Sequence, residues 1–220
     1  MCILITGSSS GIGLATAKLF LHEGFEVIGI DIKQAQIESE RYTHVIADIS
    51  KKETLPELED IDILVNNAGA QNSFDDIDIN LKGTINVTEK YGIHPGIKSI
   101  LMVASASAHT GAEFPFYSAS KGGMLAYMRN VAIRVAQYGA TCNSISPGGV
   151  LIELNRPVIE DDELWSQIMA VTPLKKWATA EEIATWIYFL TVLNQSCTGQ
   201  DILIDNGEKD LNSTFIWPEK

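Results

Sequence analysis

The sequence is poor in the features that mark secreted, membrane-spanning or nucleic-acid-binding chains. Its 220 residues hold three cysteines (Cys2, Cys142 and Cys197), an odd and widely spaced set with no CxxC pair. That pattern argues against a disulfide framework or a structural zinc and fits a reducing compartment, here the cytoplasm. Packing as small apolar side chains accounts for all three. Basic residues number 16 against 28 acidic ones, and a net charge of −12 lacks the basic face that phosphate backbones require, so no nucleic acid is expected as a partner. No apolar run is long enough to span a bilayer, and Cys2-Ile3-Leu4-Ile5 stands at the start with no basic leader, so neither membrane association nor a signal segment is expected. The four histidines are dispersed without ligand spacing, and no metal site is expected. Repeats, low-complexity tracts and linkers are lacking too. That leaves one domain over residues 1–220.

What is present is an ordinary globular composition, 45% hydrophobic and 20% charged, in a chain long enough to bury a sizeable core. Short β-branched runs alternate with helix-like segments, the pattern of a parallel α/β sheet. The runs are Cys2–Thr6, Glu26–Asp31, Thr43–Ala47, Ile61–Asn66, Ser99–Ser105, Thr141–Ser146 and Asp201–Asp205. Most are apolar on both faces, as strands covered by helices on either side must be. Helices are expected over Gly11–Glu23, Asp75–Tyr91, Tyr117–Gln137 and Ala180–Leu193, the last opened by Thr179 as N-cap with Glu181 and Glu182 in its first turn.

Ile3-Leu4-Ile5-Thr6 runs into Gly7-Ser8-Ser9-Ser10-Gly11-Ile12-Gly13 and then into a helical pattern. Glycines between a strand and a helix let backbone approach a pyrophosphate, which then sits at the positive end of the helix dipole. A glycine triplet alone is a weak signal; the strand before and helix after give it context. The fold class that follows is α/β, a doubly wound, Rossmann-like parallel sheet in three α/β/α layers. The next strand ends in Asp31, about 20 residues further on. A carboxylate there accepts hydrogen bonds from ribose hydroxyls and repels a 2′-phosphate, which favours NAD(H) over NADP(H), although Lys33 nearby would soften that preference.

These residues, with four further elements, resemble the short-chain dehydrogenase/reductase family over nearly the whole chain. Thr6 to Gly13 is similar to its TGxxxGxG turn, Asn66-Asn67-Ala68-Gly69 to its NNAG element, Tyr117-Ser118-Ala119-Ser120-Lys121 to its YxxxK motif, and Asn143 to Gly148 to its N-x-x-x-P-G segment. Thr198-Gly199-Gln200 and Asp205-Asn206-Gly207 resemble its C-terminal strand. The resemblance implies a nicotinamide oxidoreductase acting on a small carbonyl or alcohol substrate. It implies contacts to the cofactor from Gly7, Ser9, Ser10, Gly11, Ile12, Gly13, Asp31, Asp48 near the adenine, Asn67, Gly69, Tyr117, Lys121, Pro147, Gly148 and Val150.

Tyr117 and Lys121, four apart on an expected helix, share one face. A free tyrosine, with a pKa near ~10, is a poor base at neutral pH. An adjacent ammonium and an oxidised nicotinamide would stabilise the phenolate, so that Tyr117 exchanges a proton with the substrate oxygen. A hydroxyl must hold that oxygen. Ser105 best matches the family's serine, although its distance from Tyr117 is about one residue short, and Ser107 is the rival. Asn80 resembles the family's helix asparagine, which holds a water beside the lysine. The implied tetrad is Asn80, Ser105, Tyr117 and Lys121.

The chain departs from the family in being trimmed. The stretch between Asp31 and Thr43 is too short and polar for a full helix, Asn80 follows Gly69 by eleven positions, and Pro147-Gly148-Gly149-Val150-Leu151-Ile152 lacks the family's threonine. Residues 151–177 correspond to a substrate lid. Its apolar residues (Leu151, Ile152, Leu154, Trp165, Ile168, Met169) suggest a neutral or hydrophobic substrate, or simply lid packing. Glu160-Asp161-Asp162-Glu163 reads as a solvated helix start rather than a cation site, and His109 as a loop residue. Phe215-Ile216-Trp217-Pro218 would cover the pocket or a subunit interface. Helices Asp75–Tyr91 and Tyr117–Gln137 resemble the family's dimer or tetramer interface, with Met124, Leu125, Met128, Val131, Ala132 and Val135 as an apolar stripe that either serves it or packs on the sheet.

Overall fold

In the strands, successive side chains point to opposite faces, so a run apolar at every position must be covered twice. In the computed structural model, which describes residues 1–112 and 114–211, this is how the sheet is built. Ile3 and Ile5 of β1 (Cys2–Thr6), Ile63 and Val65 of β4 (Ile63–Asn66) and Leu101 and Val103 of β5 (Ser99–Val103) face one side. There they meet Ala17, Phe20 and Leu21 of α1 (Gly11–His22) and Ile183 and Ile187 of α7 (Ala180–Tyr188). Leu4, Leu64, Ile100 and Met102 face the other side, against Val87 and Tyr91 of α2 (Thr84–Tyr91) and Met124, Met128 and Val131 of α4 (Pro115–Val135).

The strands β2 (Glu26–Asp31), β3 (Tyr42–Ile46), β6 (Thr141–Pro147) and β9 (Asp201–Ile204) complete a seven-stranded sheet in the order β3-β2-β1-β4-β5-β6-β9, every pair parallel. All carboxyl ends therefore lie along one edge. The order reverses between β1 and β4, and at such a switch point the connections leave in opposite directions and open a crevice. The fold is the expected doubly wound, Rossmann-like α/β sheet.

Several expected elements are displaced. Strand β4 begins at Ile63 rather than Ile61, and β5 stops at Val103, so Ser105 lies in the loop beyond it. The Asp75–Tyr91 helix is two pieces: a π-helix over Ile77–Gly83, then α2. A side-chain carbon at Gly83 would lie 2.7 Å from Ile49 Cγ1, so this close approach needs glycine. Likewise α4 starts at Pro115 and ends at Val135, and α7 passes at Phe189 into a π-turn. Between β2 and β3 there is no helix, as the short polar connection implied.

The α4 stripe is resolved as core. Met124, Leu125, Met128, Val131, Ala132 and Val135 are all buried against the sheet and are unavailable to a partner. Past β6, a two-residue ribbon joins β7 (Val150–Leu151) to β8 (Ala178–Thr179). Between its strands lie α5 (Arg156–Ile159) and α6 (Asp162–Val171), two helices without a single buried residue. The acidic run does open α6: Asp161 is its N-cap, accepting from Leu164 N at 2.9 Å, and Glu160 pairs with Arg156. Alpha-helix α3 (Ser107–Thr110) is a single turn. No helix among the described residues is long and apolar enough to cross a membrane. The Phe215–Pro218 segment lies outside the described residues.

Candidate active site

The carboxyl edge gathers the residues singled out by sequence. Gly7 leaves β1 with φ +71°, where only glycine is unstrained, and its N–H donates to Ile30 O at 2.7 Å. Gly13 is fixed by contact instead, since a side-chain carbon there would lie 2.0 Å from Gly7 O. The first turn of α1 contains no acidic residue, and the N-cap Ser10 makes no side-chain hydrogen bond to it. The first amides of α1 are thus left for an anion.

Across the switch point, Thr6 holds the next loop. Its hydroxyl accepts from Asn67 N and Ala68 N, each at 3.0 Å, and Asn67 Nδ2 donates back to Thr6 O and Gly7 O. The NNAG element is therefore part of the sheet's own architecture as well as a wall of the crevice.

At the end of β2, the buried carboxylate of Asp31 accepts from Ser9 N and Lys33 N, both at 2.9 Å. It joins the glycine turn to the β2 terminus. Asp48 stands beyond β3, its Oδ1 accepting from Ser50 N and Oγ, and these bonds hold its carboxyl below the usual range. Pro147 ends β6 and Gly148 follows it; a side-chain carbon on Gly148 would lie 2.8 Å from Asp205 Cβ. Val150 is buried in the ribbon, and Trp177 fills the space a side chain on Gly149 would need. Ile12 faces the same edge, its carbonyl accepting from Thr16 Oγ1. The residues present fit a dinucleotide: an uncapped helix start, a glycine-lined turn and a fixed carboxylate at the neighbouring strand end.

The second group comes from α4 and the elements beside it. Tyr117 and Lys121 lie one turn apart, with Lys121 Nζ 5.6 Å from the Tyr117 ring centroid. Lys121 is buried and donates to Val103 O at 2.8 Å. Desolvation pushes its ammonium down to about 8, which Asp76 partly opposes. Burial holds the Tyr117 phenol above the ordinary tyrosine value; a hydrogen bond from Ser105 pulls it down and the Asp76 charge raises it. The lowering expected from sequence needs the ammonium and an oxidised nicotinamide together, and for the chain alone burial sets the direction. The ammonium lies over the ring and is committed to a carbonyl, while burial dominates.

Of the two serines, Ser105 is the one at the phenol; its Oγ also accepts from Ser107 N, which opens α3. Asn80 is fully buried in the π-helix and fully occupied, its Oδ1 accepting from Ala70 N and its Nδ2 donating to Ala70 O and Ser120 Oγ. A side-chain carbon on Gly69 would lie 2.9 Å from Asn80 Oδ1 and 3.5 Å from Lys121 Nζ, so amide and ammonium share one small space. His109 turns away, bonded to Asp201 Oδ2 at 2.7 Å.

The residue that sequence reasoning missed is Asp76. Its one legible trace is Ser73-Phe74-Asp75-Asp76, a capping-box pattern. The shallow depressions at the opposite, amino edge of the sheet, around Met1 and Thr141 and around Asp60 and His94, contain none of these residues.

A parallel sheet with a glycine turn at its switch point and a Tyr/Lys/Ser cluster on the same edge defines an α/β protein of the dinucleotide-cleft class. The chain belongs to the short-chain dehydrogenase/reductase family: a sequence model of the family, described as Enoyl-(Acyl carrier protein) reductase, matches residues 7–209. Among relatives, glucose 1-dehydrogenase of Gluconobacter oxydans (strain 621H) is 30% identical over 241 residues, covering 93% of this chain and 90% of that one. NAD-dependent glycerol dehydrogenase of Listeria innocua serovar 6a is 29% identical over 234 residues, covering 93% and 92%. Among solved structures, 4-hydroxyisoleucine dehydrogenase complexed with NADH aligns with a TM-score of 0.85 at 27% identity, over 96% of this chain and 99% of that one.

Proposed function

We propose that the chain is an NAD(H)-dependent oxidoreductase acting on a small alcohol or carbonyl compound. The observation that carries this reading is the buried Lys121, its Nζ 5.6 Å from the Tyr117 ring centroid and bonded to Val103 O, on the same sheet edge as the glycine turn. The relatives named glucose and glycerol dehydrogenases, and the NADH-bound structure, support the reaction class.

Gly7, Ser9, Ser10, Gly11, Ile12 and Gly13 would hold the pyrophosphate, Asp31 the ribose hydroxyls and Asp48 the adenine side. Asn67, Gly69, Pro147, Gly148 and Val150 would line the nicotinamide end, with Tyr117 and Lys121 facing it. A bound nicotinamide supplies the hydride acceptor or donor. Ser105 orients the substrate oxygen and stabilises charge that develops on it. Tyr117 Oη takes the hydroxyl proton in oxidation and returns it in reduction, and the Lys121 ammonium favours the phenolate. Asn80 acts by holding the loop after β4 against Ser120, one residue before Lys121. The exposed rings of Phe74 and Phe116, centroids 5.7 Å apart, flank this cluster and favour a neutral substrate.

Offering NAD⁺ with a panel of alcohols and polyols, and NADH with the matching carbonyls, tests the reading through nicotinamide absorbance. Turnover is expected with at least one neutral pair. In Tyr117→Phe it should fall about 10²–10⁴-fold, with NADH affinity changed only a few-fold. Full activity in that variant would remove Tyr117 as the acid/base. NADH binding with no turnover on any substrate would leave a nucleotide-binding regulator on the same fold.

A further inference from the structure

Asp76 is completely buried, and its Oδ1 has no hydrogen-bond partner. Carboxylates are seldom sealed from water without a pair. Half of this one has a local explanation. Oδ2 accepts from Ser73 N at 3.2 Å, while Ser73 Oγ accepts from Asp75 N at 3.1 Å, a reciprocal cap on the segment that enters the π-helix. A cap of this kind sits equally well on an exposed first turn, so it explains neither the burial nor the lone oxygen.

The surroundings supply the rest. Asp76 lies one turn before Asn80 on the same buried face. Asn80 in turn shares the space at Gly69 with the Lys121 ammonium and donates to Ser120, Lys121's neighbour on α4. We propose that Asp76 is a positioning residue: its carboxylate is the fixed counter-charge behind Tyr117 and Lys121, retaining the ammonium in a pocket that has stripped it of water. The proposal rests on the acid/base reading of Tyr117 given above.

Other charged groups nearby point elsewhere. Asp75 and Asp78 are exposed, Asp78 pairing with Lys82, and His109 is bonded to Asp201. Among the described residues, Asp76 is the one carboxylate felt by both Tyr117 and Lys121, and it pushes both upward. An anion stabilises a protonated ammonium and opposes a phenolate, so both effects have the same sign. Removing the charge must therefore lower both titrations together.

The test is Asp76→Asn, whose amide oxygen can still accept from Ser73 N. Both limbs of the kcat/KM–pH profile for alcohol oxidation should move to lower pH by about one unit, displacing the curve as well as scaling it. Asp76→Glu, which keeps the charge, should leave the curve near its original position, and Asp76→Ser replaces the asparagine variant if the amide does not fold. Ser73→Ala weakens the cap without touching the charge; it should lower the melting temperature and leave the profile in place. An unmoved profile in a folded, neutral variant overturns the proposal and leaves Asp76 as a cap alone.

A second readout needs no turnover. The ultraviolet titration of Tyr117, taken as the difference between each protein and its Tyr117→Phe counterpart without nucleotide, should occur at lower pH in Asp76→Asn. If the wild type turns over no substrate, the functional reading fails, yet this titration still decides the role of Asp76.

Discussion

At Asp31 both carboxylate oxygens are already used by the chain, one by Ser9 N and one by Lys33 N. Each oxygen has a further lone pair, so the carboxylate can still accept from a ribose hydroxyl while its charge opposes a 2′-phosphate. Replacing it with alanine removes both effects and orphans two backbone donors. Asp31→Ala should therefore weaken NADH binding about tenfold, narrow the NADH/NADPH preference, and cost about 1–3 kcal/mol of stability. Nucleotide titrations together with urea unfolding check this; an unchanged NADH/NADPH ratio would remove Asp31 as the discriminator. Asp31 was legible because a carboxylate ending the second strand has a defined place in the fingerprint. The same holds for Tyr117 and Lys121, whose spacing puts them on one helix face. Asp76 had only a capping pattern to announce it, since what sets it apart is complete burial and an oxygen without a partner, which no spacing encodes. Nor does sequence report the desolvation that raises the phenol and lowers the ammonium.

Among the elements, the parallel strands were the easiest to read, because runs such as Ile3-Leu4-Ile5 and Ile100-Leu101-Met102-Val103 leave no polar face for solvent. The helices were harder. The π-helix over Ile77–Gly83 depends on Gly83 meeting Ile49 and on Asn80 reaching Ala70, contacts that no periodicity encodes. The α4 stripe had two possible partners, and only the packed sheet shows that it is filled from within. What ties α2 to α4 at the surface is Glu89, which accepts from Arg134 at 2.6 and 2.7 Å and from Tyr127 at 2.8 Å. Arg134 leads in holding its carboxyl below the usual range. A depressed carboxylate contributes stability that is present above its unfolded value and lost as pH falls through the folded one. Glu89→Gln should thus lower the urea midpoint at neutral pH, by an amount worth about 1 kcal/mol or less for so exposed a pair. The gap between the two proteins should close below about pH 4. A gap that persists in acid would mean that shape, and not charge, is what the glutamate provides.

The molecule as a whole divides into a sheet with two covered faces and a flap whose two helices, α5 and α6, have no buried residue. Strands and flanking helices carry the buried residues, whereas α5 and α6 have none; Leu164 and Val171 of α6, with Leu154 and Leu174 just outside the two helices, are exposed to solvent. Among the described residues few inward contacts hold the flap: Trp165 stacks edge-on against Trp177, Asn155 Nδ2 donates to Val150 O, and Leu174 N donates to Asn206 O at 3.2 Å. Segments with so little buried apolar surface open at low free-energy cost, well below global unfolding. The flap hangs between β7 and β8, directly after Pro147 and Gly148 on the edge where the candidate residues gather. Its exposed apolar residues would gain cover by folding over an occupied crevice, and closing over a reaction excludes water from it. Limited proteolysis of the free protein should therefore cut first between residues 153 and 175, leaving the sheet intact. Saturating NADH should slow that cleavage several-fold, and NADH with a turned-over substrate should slow it further, as resolved by mass spectrometry of the fragments. Cleavage starting in the sheet, or a flap cut at the same rate with and without ligands, would show that the segment is fixed and that the crevice is closed by something else.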